Sequence, residues 1–407
     1  MPQRTWQPIL GGDLGERAWQ AVREIADDLA ELDHGARDVE QALFWAYAAS
    51  AFDDALSHQR LERAADRLAS RLETEFAGLA LYGGLLGAGW VAHHLSGDDE
   101  NQELFEQIDG ELDRALTIDT WVTDYDLISG LVGYGVYLVE RLRGPRPERA
   151  IGALQRVVDH LIALAERDGE HSRWLTPPAM LPPSQREMTP DGYYNLGLAH
   201  GIPGVVALLG LIQASPARSP RAGDLLERAV SWLRSQKLST TEQSCYPGWI
   251  SPHEPASPTR TAWCYGDPGV TAALWGAARR VGGTWEADAI AVARVCAERE
   301  ASLCGVVDAS LCHGAAGLGH VFNRFYQASQ DSLFRDASIR WFTAALDMRR
   351  PGGVGGVFAC RFNDGKPRLE PEVSFLEGAI GVGLALLAAL GVDPAWDRLL
   401  LCDVPLE

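Results

Sequence analysis

Apolar positions along the chain form two kinds of segment, and the two kinds alternate. In one kind, apolar residues stand three and four positions apart with charged residues between them, which is typical of a helix buried on one face. The other kind is almost wholly apolar, which is typical of a helix buried on every side. The one-faced stretches cover 13–32, 61–73, 151–167, 225–236 and 287–300.

Most of the apolar segments begin with two glycines that are separated by two residues. This Gly-x-x-Gly pattern returns six times, and such a repeat indicates an architecture built from one recurring unit. The segments that carry it cover 82–95, 126–142, 199–212, 264–278, 312–326 and 376–390. A further apolar helix is predicted at 40–56, where the glycines are missing.

Pairing each one-faced helix with an apolar helix predicts an outer ring around an inner ring. The sequence therefore predicts an all-α fold, an α/α toroid of about seven inner and seven outer helices, with Gly-x-x-Gly turns at the inner-helix N-termini. One toroid accounts for residues 1–407 as a single domain. Long runs of alternating apolar and polar residues are missing, so a sheet domain is not expected. The proline-rich segments 174–195 and 251–260 are predicted to be loops.

Composition and charge exclude several classes of function. With 36 basic and 55 acidic residues the formal net charge is −19, so most of the surface repels nucleic acid and anionic membranes. The most apolar run, at 379–392, is too short to cross a bilayer, and the first residues lack a signal-peptide pattern, so a cytoplasmic protein is expected. Seven cysteines without a secretion signal favour reduced thiols or metal ligands over disulfides.

The residues beside the glycines carry the candidate metal chemistry. If the inner helices start at one rim, their first turns converge although they lie far apart in the sequence. Cys264, Cys312 and His313 then offer two thiolates and one imidazole, which suits zinc and leaves a fourth position open, as in catalytic zinc sites. A second interpretation is structural: the thiols pack as small apolar groups and His313 caps its own turn.

Four further residues near these turns are candidates for catalysis. His200 is a candidate general acid or base, and Asp126 is a carboxylate that would orient it. Arg260 and Tyr265 flank Cys264, where a cation would stabilise an enolate and a phenol would donate a proton. Each has a structural alternative as well: a core histidine, a helix N-cap at Asp126, or simple packing.

The stretches YDLISGLVGY, NLGLAHGIPG, RTAWCYGDPG and LCHGAAG resemble the lanthionine synthetase C-like family, the stand-alone cyclases of lanthipeptide biosynthesis. The resemblance implies an α/α toroid with one zinc ion per chain, held by Cys264, Cys312 and His313. It also implies that four residues act in catalysis or line the site: His200, Asp126, Arg260 and Tyr265. The family's reaction adds a peptide cysteine thiolate to dehydroalanine or dehydrobutyrine and so closes a lanthionine or methyllanthionine thioether ring.

The same resemblance implies partners. The substrate would be a dehydrated precursor peptide, and a dehydratase and a peptide exporter would join the cyclase in a biosynthetic complex at the periphery of the membrane. Another branch of the family, which adds glutathione or another small thiol to dehydroamino acids in proteins, would use the same zinc and stays open.

Three alternatives come from other classes of protein. A protein prenyltransferase subunit is a toroid with zinc, but it needs a carboxylate ligand. A glycosidase would need two facing carboxylates, for which Asp126 and Glu377 are available. A non-catalytic scaffold with structural zinc would need a fourth protein ligand, such as His253.

Overall fold

The computed structural model describes residues 5–406 apart from 33–34, 36, 74–75, 97–101, 240–241 and 364–365. The helices in these residues are α1 (Gly12–Glu31), α2 (Asp38–Phe52), α3 (Ala55–Leu72), α4 (Leu85–Ser96), α5 (Gln102–Leu116), α6 (Leu131–Arg141), α7 (Pro147–Leu164), α8 (Pro183–Met188), α9 (Ile202–Gln213), α10 (Pro220–Ser235), α11 (Asp267–Val281), α12 (Glu286–Glu298), α13 (Ala315–Ser329), α14 (Ser332–Asp347) and α15 (Ala379–Ala389).

Seven of the described helices form a closed inner ring. Helix α2 contacts α4, α4 contacts α6, and the contacts continue through α9, α11, α13 and α15 back to α2. Helix α15 is buried along its whole length, as its wholly apolar sequence predicts. Glycines are the N-caps of five inner helices: Gly130, Gly201, Gly266, Gly314 and Gly378. Gly84 stands directly before α4.

The outer ring consists of α1, α3, α5, α7, α10, α12 and α14 in the described part of the chain. Each packs against one or two inner helices, as α14 does against α13 and α3 against α2 and α4. Their inward faces alone are buried, for example Val22, Ile25 and Leu29 of α1. The predicted all-α toroid is therefore confirmed, including α5 and α14, which the sequence pattern did not single out. No described helix is both long enough and apolar enough to span a membrane.

Short strands occur between the helices of the two rings. Strands β1 (Glu166–Asp168) and β2 (His171–Arg173) form one antiparallel pair. Strands β3 (Leu175–Thr176), β4 (Tyr193–Asn195) and β5 (Trp249–Ile250) form a second antiparallel sheet, and β6 (Phe358–Asn363) and β7 (Lys366–Pro371) form a hairpin. The prediction of a plain loop at 174–195 was wrong, because β3, α8 and β4 lie there. Strands of two or three residues are too short to show an alternating pattern.

The chain beyond α15 is anchored against α13 by a buried ion pair. Asp397 is wholly buried and accepts hydrogen bonds from Arg324 Nε at 2.5 Å and Nη2 at 2.7 Å. His320 Nε2 lies 2.8 Å from the same carboxylate, and the Cys402 thiol lies close by. Because the Arg324 guanidinium already neutralises Asp397, this cluster holds the fold together and does not suit a metal cation.

The second glycine of each turn lies against the backbone of its own turn. A Cβ atom on Gly317 would stand 1.9 Å from the Leu311 carbonyl oxygen, and one on Gly381 would stand 1.9 Å from the Phe375 carbonyl oxygen. A Cβ atom would likewise stand within 2.7 Å of the carbonyl oxygen of the residue six positions earlier at Gly87, Gly133, Gly204 and Gly269. The chain can therefore turn into each inner helix only where this side chain is absent.

We expect Gly317→Ala to destabilise the protein by about 3 kcal/mol, because the new methyl overlaps a backbone carbonyl that cannot rotate away. Gly152→Ala is the matched control, since Cβ at this position of α7 meets only the far end of Arg156, at 3.9 Å. That control should be neutral or stabilising by up to about 1 kcal/mol. Urea unfolding followed by circular dichroism measures both. Equal stability of the two variants would contradict the explanation.

Candidate active site and metal centre

Backbone hydrogen bonds join neighbouring glycine turns at the rim of the inner ring. The Cys264 N–H donates to the Cys312 carbonyl at 3.3 Å, and the Cys312 N–H donates to the Leu376 carbonyl at 2.7 Å. Each of these residues stands two positions before an N-cap glycine. The same bond runs from Ala199 to Cys264 and from Tyr82 to Ile128. Equivalent positions of successive repeats are thus brought side by side.

Cys264, Cys312 and His313 meet at this rim, and one ligand atom from each lies within 4.8 Å of the other two. Cys264 is buried and the other two are partly buried. Hydrogen bonding from the Cys312 thiol and from His313 outweighs burial and holds the pKa of the Cys264 thiol well below its usual range. The sequence thus identified three donors that the fold brings together.

This donor set fits zinc. Two thiols and an imidazole are ligands that zinc prefers, and bonds of roughly 2.0–2.3 Å to one tetrahedral ion need donors about as close as these. Among the described residues, no fourth His, Cys, Asp or Glu joins the group. The three residues would therefore leave one coordination position for another ligand. His253, the fourth ligand that a structural zinc would require, instead has its Nε2 2.6 Å from Asp191.

Asp308 supports the histidine of this group, and the sequence analysis missed it. Its carboxylate is fully buried, 3.6 Å from His313 Nε2, and it accepts the N–H groups of Ser310 at 3.0 Å and Cys360 at 2.9 Å. Burial opposes the charge, but these contacts hold the pKa of Asp308 at about 2. Burial likewise lowers the pKa of His313, but the Asp308 carboxylate outweighs it and raises that pKa to about 9. A carboxylate beside the outer nitrogen of a ligating histidine is a common supporting contact in zinc sites.

His200 and Asp126 form a second pair at the rim. His200 Nδ1 lies 2.6 Å from Asp126 Oδ2, while Asp126 Oδ1 accepts the N–H groups of Ser129 at 2.8 Å and Gly130 at 3.1 Å. Asp126 therefore binds the turn that precedes α6 and orients the imidazole, whereas the N-cap of the helix is Gly130, so the interpretation of Asp126 as a helix N-cap was wrong. Asp126 stands four residues before Gly130, the N-cap of its helix, whereas His200 stands one residue before Gly201, the N-cap of α9.

The Asp126 carboxylate keeps His200 readily protonated. Burial lowers the pKa of His200, but the hydrogen bond and negative charge of Asp126 outweigh it, so the pKa is raised above its ordinary value. Because Nδ1 carries the proton shared with Asp126, Nε2 is the nitrogen left to exchange a proton with another molecule. The His200 side chain is 45% exposed, so the ring is accessible from solvent.

Arg260 and Tyr265 lie on either side of Cys264 in different environments. Tyr265 is partly buried and stacks on His200, with ring centroids 6.2 Å apart. Arg260 is exposed, and among the described residues its guanidinium has no ion-pair partner. Its positive charge nevertheless acts on the thiols of Cys264 and Cys312. The cation is thus available to a molecule that approaches the thiols.

Both carboxylates that a glycosidase would use contact a basic side chain. Asp126 is bound to His200 as described, and Glu377 forms an ion pair with Arg361 of β6. A general acid and base acting on a sugar would need at least one carboxylate free to exchange protons with substrate. The arrangement therefore favours thiol chemistry over glycoside hydrolysis.

Comparisons with known proteins identify the family and the fold of this chain. A model of the family described as lanthionine synthetase C-like protein matches residues 41–401. Nisin biosynthesis protein NisC of Lactococcus lactis subsp. lactis is 26% identical over 269 residues, which cover 60% of this chain and 62% of NisC. This chain thus spans less than two thirds of that curated relative. The solved structure of a nisin cyclase superposes with a TM-score of 0.74 and 19% identity over 96% of this chain and 98% of that chain, which shows the shared fold.

We expect Asp126→Asn to lower the pKa of His200, because the amide removes the negative charge while burial of the imidazole remains. The wild-type pKa should lie above 6.5 and that of the variant below the wild-type value, at the same metal content. Titration of the His200 ring signals by NMR measures both, with His200→Gln to assign the resonances.

Asp124→Asn is the matched control for this titration, since Asp124 acts on His200 only as a more distant charge. It should lower the pKa of His200 by less than Asp126→Asn does. An equal effect of the two variants would show that the hydrogen bond to Asp126 is not the dominant influence.

Proposed function

The chain belongs to the lanthionine synthetase C-like family, and from this premise we propose that it is a zinc-dependent lanthionine-forming cyclase. Its substrate is a ribosomally made precursor peptide in which serine or threonine has been dehydrated. The enzyme adds a peptide cysteine thiolate to dehydroalanine or dehydrobutyrine and forms a lanthionine or methyllanthionine ring.

The observation that carries this proposal is the convergence of two chemistries on one rim. Three zinc-type donors, Cys264, Cys312 and His313, lie within 4.8 Å of one another. The His200 and Asp126 pair stands on the neighbouring turn, and the Ala199 N–H of that turn donates to the Cys264 carbonyl at 3.4 Å. A thiol-activating group and a proton-donating group are therefore adjacent.

We assign one zinc ion per chain to Cys264, Cys312 and His313. Asp308 would fix the His313 ring through Nε2, which leaves Nδ1 for the metal. Bound zinc would keep a substrate thiol deprotonated near neutral pH while leaving it nucleophilic. The low pKa of the Cys264 thiol supports its role as a thiolate ligand.

The chain's own residues complete the addition. The thiolate electron pair forms the C–S bond at the β-carbon, and the alkene electrons move onto the adjacent carbonyl as an enolate. Arg260, an exposed cation without an ion-pair partner in the described residues, would stabilise that charge. His200 then gives the Nε2 proton to the α-carbon, and the proton lost by the substrate thiol balances the one gained.

The wider setting follows from the same proposal. We infer that residues 1–407 act as one domain in the cytoplasm and that the dehydrated precursor peptide is the direct partner. A dehydratase and a peptide exporter are the partners expected in a biosynthetic complex, which would bring the cyclase to the membrane periphery.

The purified protein should contain about one zinc per chain, and Cys264→Ala and His313→Ala should each lose it, because two protein ligands hold zinc far more weakly than three. Cyclisation should fall at least about 100-fold in both. Metal analysis and a cyclisation assay measure these effects, with Cys402→Ala, at a buried cysteine that is not part of the three-donor group, as control.

A folded wild type without zinc, prepared without chelator, would contradict the metal proposal. Active protein that forms glutathione adducts but no rings would instead favour the thiol-adding branch of the family.

His200→Ala should retain zinc but lose about 100- to 10,000-fold in turnover, since it removes the proton donor and leaves the metal ligands intact. The distinguishing measurement is turnover and zinc content on the same preparation. Loss of zinc together with activity would show that His200 supports the metal centre and not proton transfer.

A further inference from the structure

A cavity of about 300 Å³ opens beside His200. It is lined by His200 and Tyr265 and by residues of the 174–195 segment that include Thr176, Leu181 and Gln185. The three zinc-type donors do not line it. The cavity therefore lies beside His200 and is lined by none of the three donors.

Asn195 lies at the edge of this cavity and is almost completely buried, with 2% of its surface exposed. Its Oδ1 accepts the Gly197 N–H at 2.8 Å, so the orientation of the amide is fixed by a backbone donor. Its Nδ2 must then face the Tyr265 hydroxyl, which lies 2.8 Å away. Asn195 thus donates to Tyr265 and cannot accept from it.

The direction of this bond decides what the Tyr265 hydroxyl can do. Because its oxygen accepts from Asn195, its own proton must point elsewhere, and no acceptor for it is found in the described residues. The ring is held by stacking on His200 and by Gly197, where a Cβ atom would approach the ring to 2.8 Å.

The position of Asn195 recurs in other repeats. Asn195, Asp308 and Glu372 each stand six residues before an N-cap glycine, and each accepts the N–H two residues on. In the turn of α13 this residue is an aspartate. An aspartate at position 195 is therefore expected to build the same turn, while its second oxygen would accept a hydrogen bond where the asparagine donates one.

We propose that the cavity beside His200 is the subsite for the dehydroamino acid and that Asn195 is a positioning residue, which makes the Tyr265 hydroxyl a hydrogen-bond donor to that residue's carbonyl oxygen. This inference rests on the proposed cyclase function. As the C–S bond forms at the β-carbon, the negative charge develops on that oxygen, where a preoriented donor stabilises it most. His200, which lines the same cavity, then protonates the α-carbon and restores the carbonyl.

Asn195→Asp tests the direction of the hydrogen bond while retaining the shape of the side chain. The probe is a synthetic peptide with one dehydroalanine followed by one cysteine, and thiol alkylation counts unclosed peptide because ring closure leaves the mass unchanged. We expect kcat to fall about 100-fold with KM changed less than about threefold, since the lost contact acts on developing charge. Tyr265→Phe should lose a similar factor, and the double variant should lose no more than either alone.

Asn323→Asp is the control for burying a carboxylate, because Asn323 is fully buried about two turns into α13 and its Oδ1 also accepts a hydrogen bond, from Gln327. It should leave kcat per folded, zinc-loaded molecule unchanged. Wild-type kcat in Asn195→Asp, or additive losses in the double variant, would overturn the positioning role.

If Asn195→Asp does not fold, Tyr265→Phe still tests the inference, because a wild-type kcat in Tyr265→Phe alone overturns it. A zinc-loaded wild type that closes no more rings than Cys264→Ala would instead reject the cyclase itself, and the subsite inference would fall with it.

Discussion

The site depends on one constraint, the close approach of successive glycine turns at the rim of the inner ring. The backbone N–H two positions before a glycine reaches the equivalent carbonyl of the next turn, as from Cys264 to Cys312. Side chains separated by 48 residues of sequence are thereby brought side by side by the backbone. Glycine permits this approach, because a methyl group at Gly317 would collide with a carbonyl of its own turn.

This constraint assigns a different task to each position of the turn. Residues two positions before the glycine, such as Cys264 and Cys312, are brought together by the backbone, so their side chains can contact the same ion or molecule. Of the residues one before it, His200 has an exposed side chain, and the His313 side chain faces the Asp308 carboxylate. Acidic groups further upstream neutralise or orient these imidazoles, which is why Asp126 and Asp308 both raise the pKa of a histidine after burial has lowered it.

The repeat made much of the fold and site predictable from sequence. The apolar spacing and the glycine pairs are sufficient to predict two rings of helices. The repeat also predicts that Cys264, Cys312 and His313 lie together. The sequence did not identify Asp308 and Asn195, because each depends on a contact with a distant segment. Asp308 accepts the N–H of Cys360 in the β6–β7 hairpin, and Asn195 donates to the Tyr265 hydroxyl of another turn. Only an alignment of the repeats on their glycines would have revealed the shared upstream position. Strands as short as β3 leave no sequence pattern at all.

That upstream position presents different hydrogen-bonding groups in different repeats. Where it holds Asp308, the spare oxygen faces His313 and favours a positively charged or metal-bound ring. Where it holds Asn195, the spare amide faces Tyr265 and favours a neutral donor. Where it holds Arg260, no acceptor is available to build the turn, and a cation is exposed beside the thiols instead. The backbone of the turns is restricted by glycine in each repeat, whereas this position differs between repeats and presents a carboxylate, an amide or a guanidinium at the same rim.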